Sequence, residues 1–296
     1  MMKVTDIRTR IASRMQSLSF RIKAAVLYGS FARGSFTPDS DIDILFVSDE
    51  VNPKKHRRGK EIGQIKECLS MGHPLDILLL TSNECVSNFR NHNPLFLDIA
   101  WEGVLLLDEN NFLNNLINET RSYISQKNIK KMADGWTFPV RERTPVFLSN
   151  VSNRDFASAM IGDGSRDFTI GVNIMEDGFY DKAVYHFQQS AEKAVKAVLI
   201  CFGIFKKTHF VGEILTKELE SRDIDSDWRE KLLLIAKISS EVEPEVTWSR
   251  YPGIDEDVLW IPGEEYAEED ARNIKDKCEE VIKIARYFID WWFSGK

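Results

Sequence analysis

The fold of the N-terminal third is decided by the stretch AAVLYGSFARGSFTPDSDIDILFV, residues 24–47. It contains two apolar runs, residues 24–28 and 42–47, which are separated by turn-forming residues such as Gly29 and Pro38. Short apolar runs bounded by turn residues are typical of buried β-strands. The stretch therefore predicts two buried strands joined by an irregular connection.

The flanking segments extend this pattern. Residues 5–20 and 57–70 carry apolar side chains at three- and four-residue spacing, which predicts two amphipathic helices. A third apolar run, residues 75–80, predicts another strand, and the second half of residues 95–107 predicts a fourth. The order helix, strand, strand, helix, strand predicts an α/β unit, more closely an α+β fold with a mixed sheet.

Beyond residue 110 the pattern changes twice. Between about 130 and 165, glycine and proline are interspersed with polar residues without a regular period, which predicts a linker or a long loop. Further on, apolar residues recur at helical spacing, which predicts an all-α helical bundle. We therefore predict an N-terminal α/β domain over residues 1–110, a connecting segment over residues 111–164 and a helical bundle over residues 165–296.

Composition argues against several classes of protein. No stretch approaches the roughly 20 apolar residues of a membrane span, and the first residues lack the apolar segment of a signal peptide, so a cytoplasmic protein without a membrane partner is expected. The four cysteines are far apart and predict neither a disulfide framework nor structural zinc. The net charge is −7, with the acidic surplus beyond residue 108, which disfavours a general nucleic-acid surface.

Three aspartates predict a metal site. Asp41 and Asp43 are two residues apart at the start of a strand, so their side chains should project from the same face. Two carboxylates that close repel each other unless a cation lies between them, and hard oxygen ligands favour Mg²⁺. Asp76 lies within the apolar run 75–80, where a buried unpaired carboxylate would cost several kcal/mol. It would reach the same cluster if its strand lies beside the second strand, and it would otherwise be an edge-strand residue that faces water.

These residues form a recognisable signature. Gly29-Ser30, a gap of ten residues, Asp41-x-Asp43 and the later Asp76 resemble the motif of minimal nucleotidyltransferases of the polymerase-β-like superfamily. The resemblance implies that Gly29 and Ser30 hold the triphosphate of a nucleotide. It implies that all three aspartates are catalytic and bind Mg²⁺ or Mn²⁺, with Asp76 helping to deprotonate an acceptor hydroxyl. The implied donor is a nucleoside triphosphate, with ATP favoured.

The connection between the two strands resembles the same family. The residues from Phe31 to Ser35 and Ser40 match its pattern, and the resemblance covers roughly residues 5–108. Arg33 and Ser40 are therefore further candidates for nucleotide binding, although Arg33 is also consistent with an ordinary surface position. The basic run of residues 54–60 would steer a triphosphate or lie in a solvated loop.

The C-terminal part resembles a HEPN domain over roughly residues 165–294. The matching segments are Tyr180–Ala183, Gln188–Ala197, Thr208-His209 and Arg250-Tyr251-Pro252. Many HEPN proteins are RNases that use an arginine followed four to six residues later by a histidine. None of the five histidines has an arginine so placed, which argues against RNase activity.

The resemblances leave three hypotheses for function. The first is transfer of a nucleoside monophosphate, most simply AMP, to a hydroxyl of a small molecule or protein, by a protein that we expect to be a homodimer. The second is adenylylation of an aminoglycoside-type antibiotic, for which the acidic C-terminal part would suit a polycation. The third is a fused toxin–antitoxin-like regulatory protein. Extension of nucleic acid is not favoured, because no extended basic groove is apparent.

Overall fold

The structure is a computed structural model that describes residues 4–146, 150–255 and 258–294. The chain separates into two units, Met1–Ile129 and Lys130–Lys296. The elements of the first unit are, in chain order, α1 (Val4–Arg14), β1 (Ala24–Tyr28), α2 (Gly29–Arg33), β2 (Ile42–Val47), α3 (Gly59–Leu69), β3 (Leu75–Leu80), α4 (Ser82–Arg90), α5 (Pro94–Glu102), β4 (Val104–Asp108) and α6 (Phe112–Gln126).

The first unit is built on a four-stranded mixed sheet with the strand order β3-β2-β1-β4. β2 pairs in parallel with β3 and antiparallel with β1, whereas β4 pairs antiparallel with the other edge of β1. This confirms the predicted α+β fold. The first three strands begin and end at the residues predicted from the apolar runs.

Helices cover both faces of this sheet. On one face, Ile11 of α1 and Ile65 of α3 belong to the core cluster that includes the buried side of β2 and β3. On the other face, Phe89, Phe96 and Leu113 from α4, α5 and α6 form a second cluster. Strands buried on both faces are apolar throughout instead of alternating with polar residues. β3 lies at the edge of the sheet and its Asp76 is exposed, so the cost predicted for burying this carboxylate does not arise.

One member of the basic run lies in the interior. The Arg58 side chain is 1% exposed and donates to both carboxylate oxygens of Glu84 at 2.6 and 2.9 Å and to the Leu79 carbonyl oxygen at 2.9 Å. Glu84 also completes the capping box with Thr81 that begins α4. Arg58 thus fixes the start of α4 to the end of β3. The prediction of a solvated or steering charge is wrong for this residue.

The second unit consists mainly of helices. Its elements are β5 (Lys130–Met132), β6 (Gly135–Thr137), α7 (Asn153–Glu176), α8 (Tyr180–Cys201), β7 (Ile204–Lys206), α9 (Gly212–Ser221), α10 (Ser226–Val242), α11 (Glu245–Trp248), β8 (Gly253–Asp255), β9 (Val258–Trp260), α12 (Pro262–Glu265) and α13 (Glu268–Phe293). α7, α8, α10 and α13 pack together as the predicted bundle. None of the helices in the part of the chain that the structure describes has the length and apolar character needed to span a bilayer.

The connecting segment predicted over residues 111–164 contains substantial helix. α6 occupies its first part, and α7 begins at Asn153 with a capping box formed by Ser152 and Asp155. Gly164 favours a loop when the sequence is considered alone, yet a Cβ there would lie 3.0 Å from the Ser190 carbonyl oxygen of α8. Glycine at this position permits close packing of α7 against α8. Because α7 begins at Asn153, the loop prediction is wrong for residues 153–164.

Short strands are the other feature that sequence periodicity did not predict. β5, β6 and β7 form a three-stranded antiparallel sheet, and β8 pairs with β9 as a hairpin. Each of these strands has three residues, too few to show an alternating pattern. Trp136 of β6 is nevertheless fully buried, so the small sheet contributes to the core of the second unit.

Candidate functional site

Two of the three predicted metal ligands lie side by side. β2 and β3 run parallel in a register that pairs Asp43 with Asp76. Side chains in register on neighbouring strands project from the same face of a sheet. The flanking Ile42 and Ile77 are buried on the opposite face, with α1 and α3. Both aspartates therefore project from the face that carries α4, α5 and α6, Asp76 exposed and Asp43 half-buried.

A tyrosine that the sequence did not single out lies next to this pair. Tyr28 ends β1 and is directly opposite Asp43 in the antiparallel register. Burial raises the pKa of the Tyr28 hydroxyl, and the negative charges of Asp76 and then Asp43 raise it further. The hydroxyl therefore stays protonated, and the fields of both carboxylates converge on it. The feature of the sequence that could have identified Tyr28 is its position immediately before Gly29.

Gly29 brings the backbone against one of these carboxylates. Its φ of +72° is in the left-handed region, where a side chain is strained. A Cβ built at this position would lie 2.1 Å from Oδ2 of Asp43. Glycine is therefore required both by the backbone conformation and by the space next to Asp43, whereas its contact with a phosphate stays a prediction.

Asp41 and Ser40 lie just before β2. Ser40 closes a turn with Thr37: its N–H donates to the Thr37 carbonyl oxygen at 3.1 Å, and its Oγ accepts from the Thr37 N–H at 2.8 Å. The N–H of Ile42 then donates to the Pro74 carbonyl oxygen at 2.9 Å, which joins this end of β2 to the start of β3. Asp41 lies between the hydrogen-bonded residues Ser40 and Ile42 and is exposed. Ser40 thus has a structural role in the turn that precedes Asp41.

Ser30 and Arg33 lie on α2, which follows β1 without a break. Ser30 is partly exposed and Arg33 is exposed. Arg33 makes an ion pair with Glu102 at the end of α5, with 2.5 Å between Nη1 and Oε1. α2 is itself anchored by Phe31, which is 2% exposed and stacks on Phe36 with 4.1 Å between ring centroids. No sequence pattern pointed to Glu102, because the contact joins residues 69 positions apart.

The side chains at this end of β2 and β3 have the chemistry of a divalent-cation site. Carboxylate oxygens are the ligands that Mg²⁺ prefers, and Asp43 and Asp76 present them from adjacent register positions. Asp41, two residues before Asp43, is the third candidate ligand. Among the described residues, no three histidine, cysteine, aspartate or glutamate side chains are already gathered closely enough to hold a metal. The donor type fits a divalent ion, whereas the full set of three ligands remains a prediction.

The helical unit contains a buried carboxylate with several hydrogen-bond donors around it. Glu192 of α8 is 4% exposed, and its carboxylate accepts from Lys196 Nζ at 2.7 Å. His209 Nδ1 lies 3.0 Å from Oε2 of the same carboxylate, and Gln188 and Gln189 each donate to it at 3.3 Å. A carboxylate accepts hydrogen bonds only, so Nδ1 carries the proton and Nε2 of a neutral His209 is left as an acceptor.

The chain matches two domain families. The nucleotidyltransferase domain family matches residues 8–99, and the HEPN domain family matches residues 157–294.

Individual proteins show similarity as well. A candidate toxin of Methanocaldococcus jannaschii is 36% identical over 138 residues, which are 46% of this chain and 90% of that protein. A candidate protein adenylyltransferase of the same organism is 62% identical over 29 residues, which are 10% of this chain and 29% of that protein. The solved structure of a nucleotidyltransferase-like protein from Exiguobacterium sibiricum aligns with 97% of this chain and 78% of its own, at 13% identity and a TM-score of 0.40.

Proposed function

We propose that this chain, which belongs to the HEPN family through residues 157–294 and carries a nucleotidyltransferase domain over residues 8–99, transfers a nucleoside monophosphate from a nucleoside triphosphate to a hydroxyl group. In this proposal ATP is the donor, Mg²⁺ or Mn²⁺ is the cofactor, and the acceptor hydroxyl belongs to a small molecule or a protein. The candidate protein adenylyltransferase that shares 62% identity over 29 residues supports AMP as the transferred group.

The observation that carries the proposal is the in-register pair of Asp43 and Asp76 beside the backbone of Gly29. Transfer of a nucleotidyl group requires little covalent chemistry from the protein and depends on positioning and charge neutralisation. A carboxylate pair on a rigid sheet, next to a glycine that lets a ligand approach the backbone, meets both requirements. Asp76 is exposed and Asp43 is half-buried, so the register pair is accessible to a cation and a nucleotide.

The roles of the residues follow from their positions. Asp41, Asp43 and Asp76 would hold the divalent ion, which when bound neutralises the triphosphate and polarises the α-phosphorus. Ser30 would donate its hydroxyl to a phosphate oxygen. Asp76, the more exposed carboxylate of the register pair, would accept the proton of the acceptor hydroxyl. The acceptor oxygen forms a bond to the α-phosphorus, the bond to the bridging oxygen breaks, and pyrophosphate leaves.

Substitution of a proposed ligand tests this function. Purified protein is incubated with each NTP labelled at the α-phosphorus, Mg²⁺ and a cell lysate, and incorporation of label is measured. Asp43→Asn removes a charge without changing the size of the side chain, and we expect transfer to fall by about a hundredfold or more. Asp39→Asn, in the exposed turn of the same connection, is the matched control and should retain transfer. Undiminished transfer by the Asp43 variant would reject the assignment.

The fate of the label separates the possible acceptors. Label in a protein band supports a protein hydroxyl, and label in a small-molecule fraction supports a metabolite. Aminoglycoside-dependent release of pyrophosphate would instead support the antibiotic adenylyltransferase hypothesis.

A second candidate is RNA cleavage by the helical unit, and one arrangement favours it. The buried Glu192 orients His209, whose Nε2 would accept the proton of an attacking hydroxyl. The candidate toxin that is 36% identical over 138 residues is consistent with this hypothesis, whereas the absent arginine–histidine spacing argues against it. Cleavage of labelled RNA by the full chain, lost in His209→Gln, would support it. Intact RNA would reject it.

A further inference from the structure

We infer that Glu102 is a positioning residue that holds Arg33 in the orientation needed to contact the triphosphate. This inference rests on the proposed function and extends it to a residue outside the segment 8–99 that matches the nucleotidyltransferase domain. It starts from the ion pair between α2 and α5, in which Nη1 of Arg33 is 2.5 Å from Oε1 of Glu102.

The two partners differ in their exposure to solvent. The Glu102 side chain is 11% exposed, whereas the Arg33 side chain is 48% exposed. The carboxylate is therefore fixed within the unit, and the guanidinium extends from it toward solvent. Arginine has five N–H donors in a rigid planar group, so a single contact through Nη1 leaves donors for an anionic ligand.

The position of Arg33 on α2 directs it toward the proposed phosphate site. Residues three or four positions apart on a helix lie on the same side. Arg33 is three residues after Ser30, which is proposed to hold the triphosphate. α2 also contacts β2, which carries Asp43. A guanidinium held on this side of α2 is thus next to the phosphates that the site would bind.

Restricting a long side chain before a ligand arrives increases affinity. Ordering a flexible side chain on binding costs about 0.5–1.5 kcal/mol, which corresponds to about a two- to twelvefold change in affinity. The Glu102 carboxylate has already restricted Arg33 in the free protein. Its effect should therefore appear in binding of the triphosphate group and not in binding of the nucleoside.

Two substitutions separate orientation from charge. Glu102→Ala removes the acceptor, whereas Glu102→Gln removes the charge but keeps an oxygen that accepts from Nη1. Both leave the half-exposed Arg33 accessible to water, so the fold should be retained, which thermal unfolding of each variant verifies. Glu109→Ala is the matched control, because Glu109 makes an ion pair with Arg21 near the opposite end of β1.

The measurement is equilibrium binding of the Mg²⁺ complex of α,β-methylene-ATP, which is not cleaved at the α–β bridge, by titration calorimetry. We expect the Kd of Glu102→Ala to rise about three- to tenfold, and those of Glu102→Gln and Glu109→Ala to stay within about twofold of the original protein. The Kd of Mg²⁺–tripolyphosphate, measured by competition, should rise by the same factor in Glu102→Ala. The Kd of adenosine should not change.

Three outcomes would overturn the inference. A Kd for Glu102→Ala within twofold of the original protein would show that Arg33 needs no orientation. Equal weakening by Glu102→Gln would show that charge, not orientation, matters. If Glu102→Ala weakened the binding of adenosine by the same factor, Glu102 would have a general structural role. If the original protein binds neither nucleotide nor tripolyphosphate, the proposed function fails and this inference fails with it.

Discussion

The acidic residues of the two units differ in how their charge is satisfied. In the α/β unit, Asp76 is exposed and forms a register pair with the half-buried Asp43 at the edge of the sheet that carries Gly29. In the helical unit, the buried Glu192 is surrounded by Lys196, His209 and two glutamine side chains. A carboxylate surrounded by internal donors stabilises the fold, whereas the exposed carboxylate of Asp76 is accessible to a cation and a substrate.

Exchanging the two kinds of carboxylate for neutral residues should give opposite results. Glu192→Ala leaves Lys196 partly buried without its partner, and we expect the free energy of unfolding of the helical unit to fall by about 3–5 kcal/mol. Asp76→Asn relieves repulsion between neighbouring carboxylates, so stability should be unchanged or higher, while nucleotidyl transfer is lost. Chemical denaturation and the labelled-NTP assay measure the two properties. A stable Glu192 variant together with an unstable Asp76 variant would contradict the comparison.

Glu84 is a carboxylate of the α/β unit that is nevertheless satisfied by internal donors. Burial acts to raise the pKa of Glu84, but hydrogen bonds from Arg58 and Thr81 outweigh it, and the net pKa is lowered. A lowered folded-state pKa stabilises the protein above the ordinary carboxyl pKa, and this contribution is lost as the pH falls through the folded-state value.

We therefore expect Glu84→Gln to reduce the free energy of unfolding by about 2–3 kcal/mol at pH 7, because it removes a charged hydrogen-bond pair. The difference from the original protein should shrink as the pH falls below about 4, the ordinary carboxyl value, and should vanish below the lower pKa of the folded state, where Glu84 is protonated in both states. Denaturant titrations at pH 7, 5 and 3 measure this difference. A difference that is independent of pH would show that the ion pair with Arg58 contributes little.

The glycines of the two units also differ in role, since one lies at the proposed site and another at a contact between helices. Their substitution should change the free energy of unfolding less than that of the carboxylates. Gly29 lies against Asp43, whereas Gly164 of α7 lies against α8, where a Cβ would be 3.1 Å from Cβ of Lys193. Gly164→Ala should lower the free energy of unfolding by about 1 kcal/mol, as overpacking offsets the better helix propensity of alanine.

Gly162 is the matched control, since it lies on the same helix and no neighbouring side chain comes within 4 Å of the position that a methyl group would take there. Gly162→Ala should raise the free energy of unfolding by about 0.5–1 kcal/mol. Thermal or denaturant unfolding of the two variants compares them directly. If both substitutions stabilise the protein equally, close packing does not explain Gly164.

Local sequence was sufficient for the elements whose signal repeats within a few residues. The apolar runs over residues 24–28, 42–47 and 75–80 match β1, β2 and β3, because strands whose two faces are largely covered by helices are apolar at most positions. The spacing from Gly29-Ser30 to Asp41 and Asp43 likewise identified the candidate site. Local sequence failed for α7, since Gly162 and Gly164 indicate a loop unless the neighbouring α8 is known.

The mixed α/β unit, the helical bundle and the three aspartates of the proposed site could be predicted from the chain alone, because strand burial, helical period and the spacing of charged residues are properties of short segments. Three features became visible only in the folded chain: the register that pairs Asp43 with Asp76, the burial of Arg58 against Glu84, and the contact between Arg33 and Glu102. Each of these depends on how segments distant in the chain pack. The energy of a charged side chain depends on those neighbours and not on its own segment.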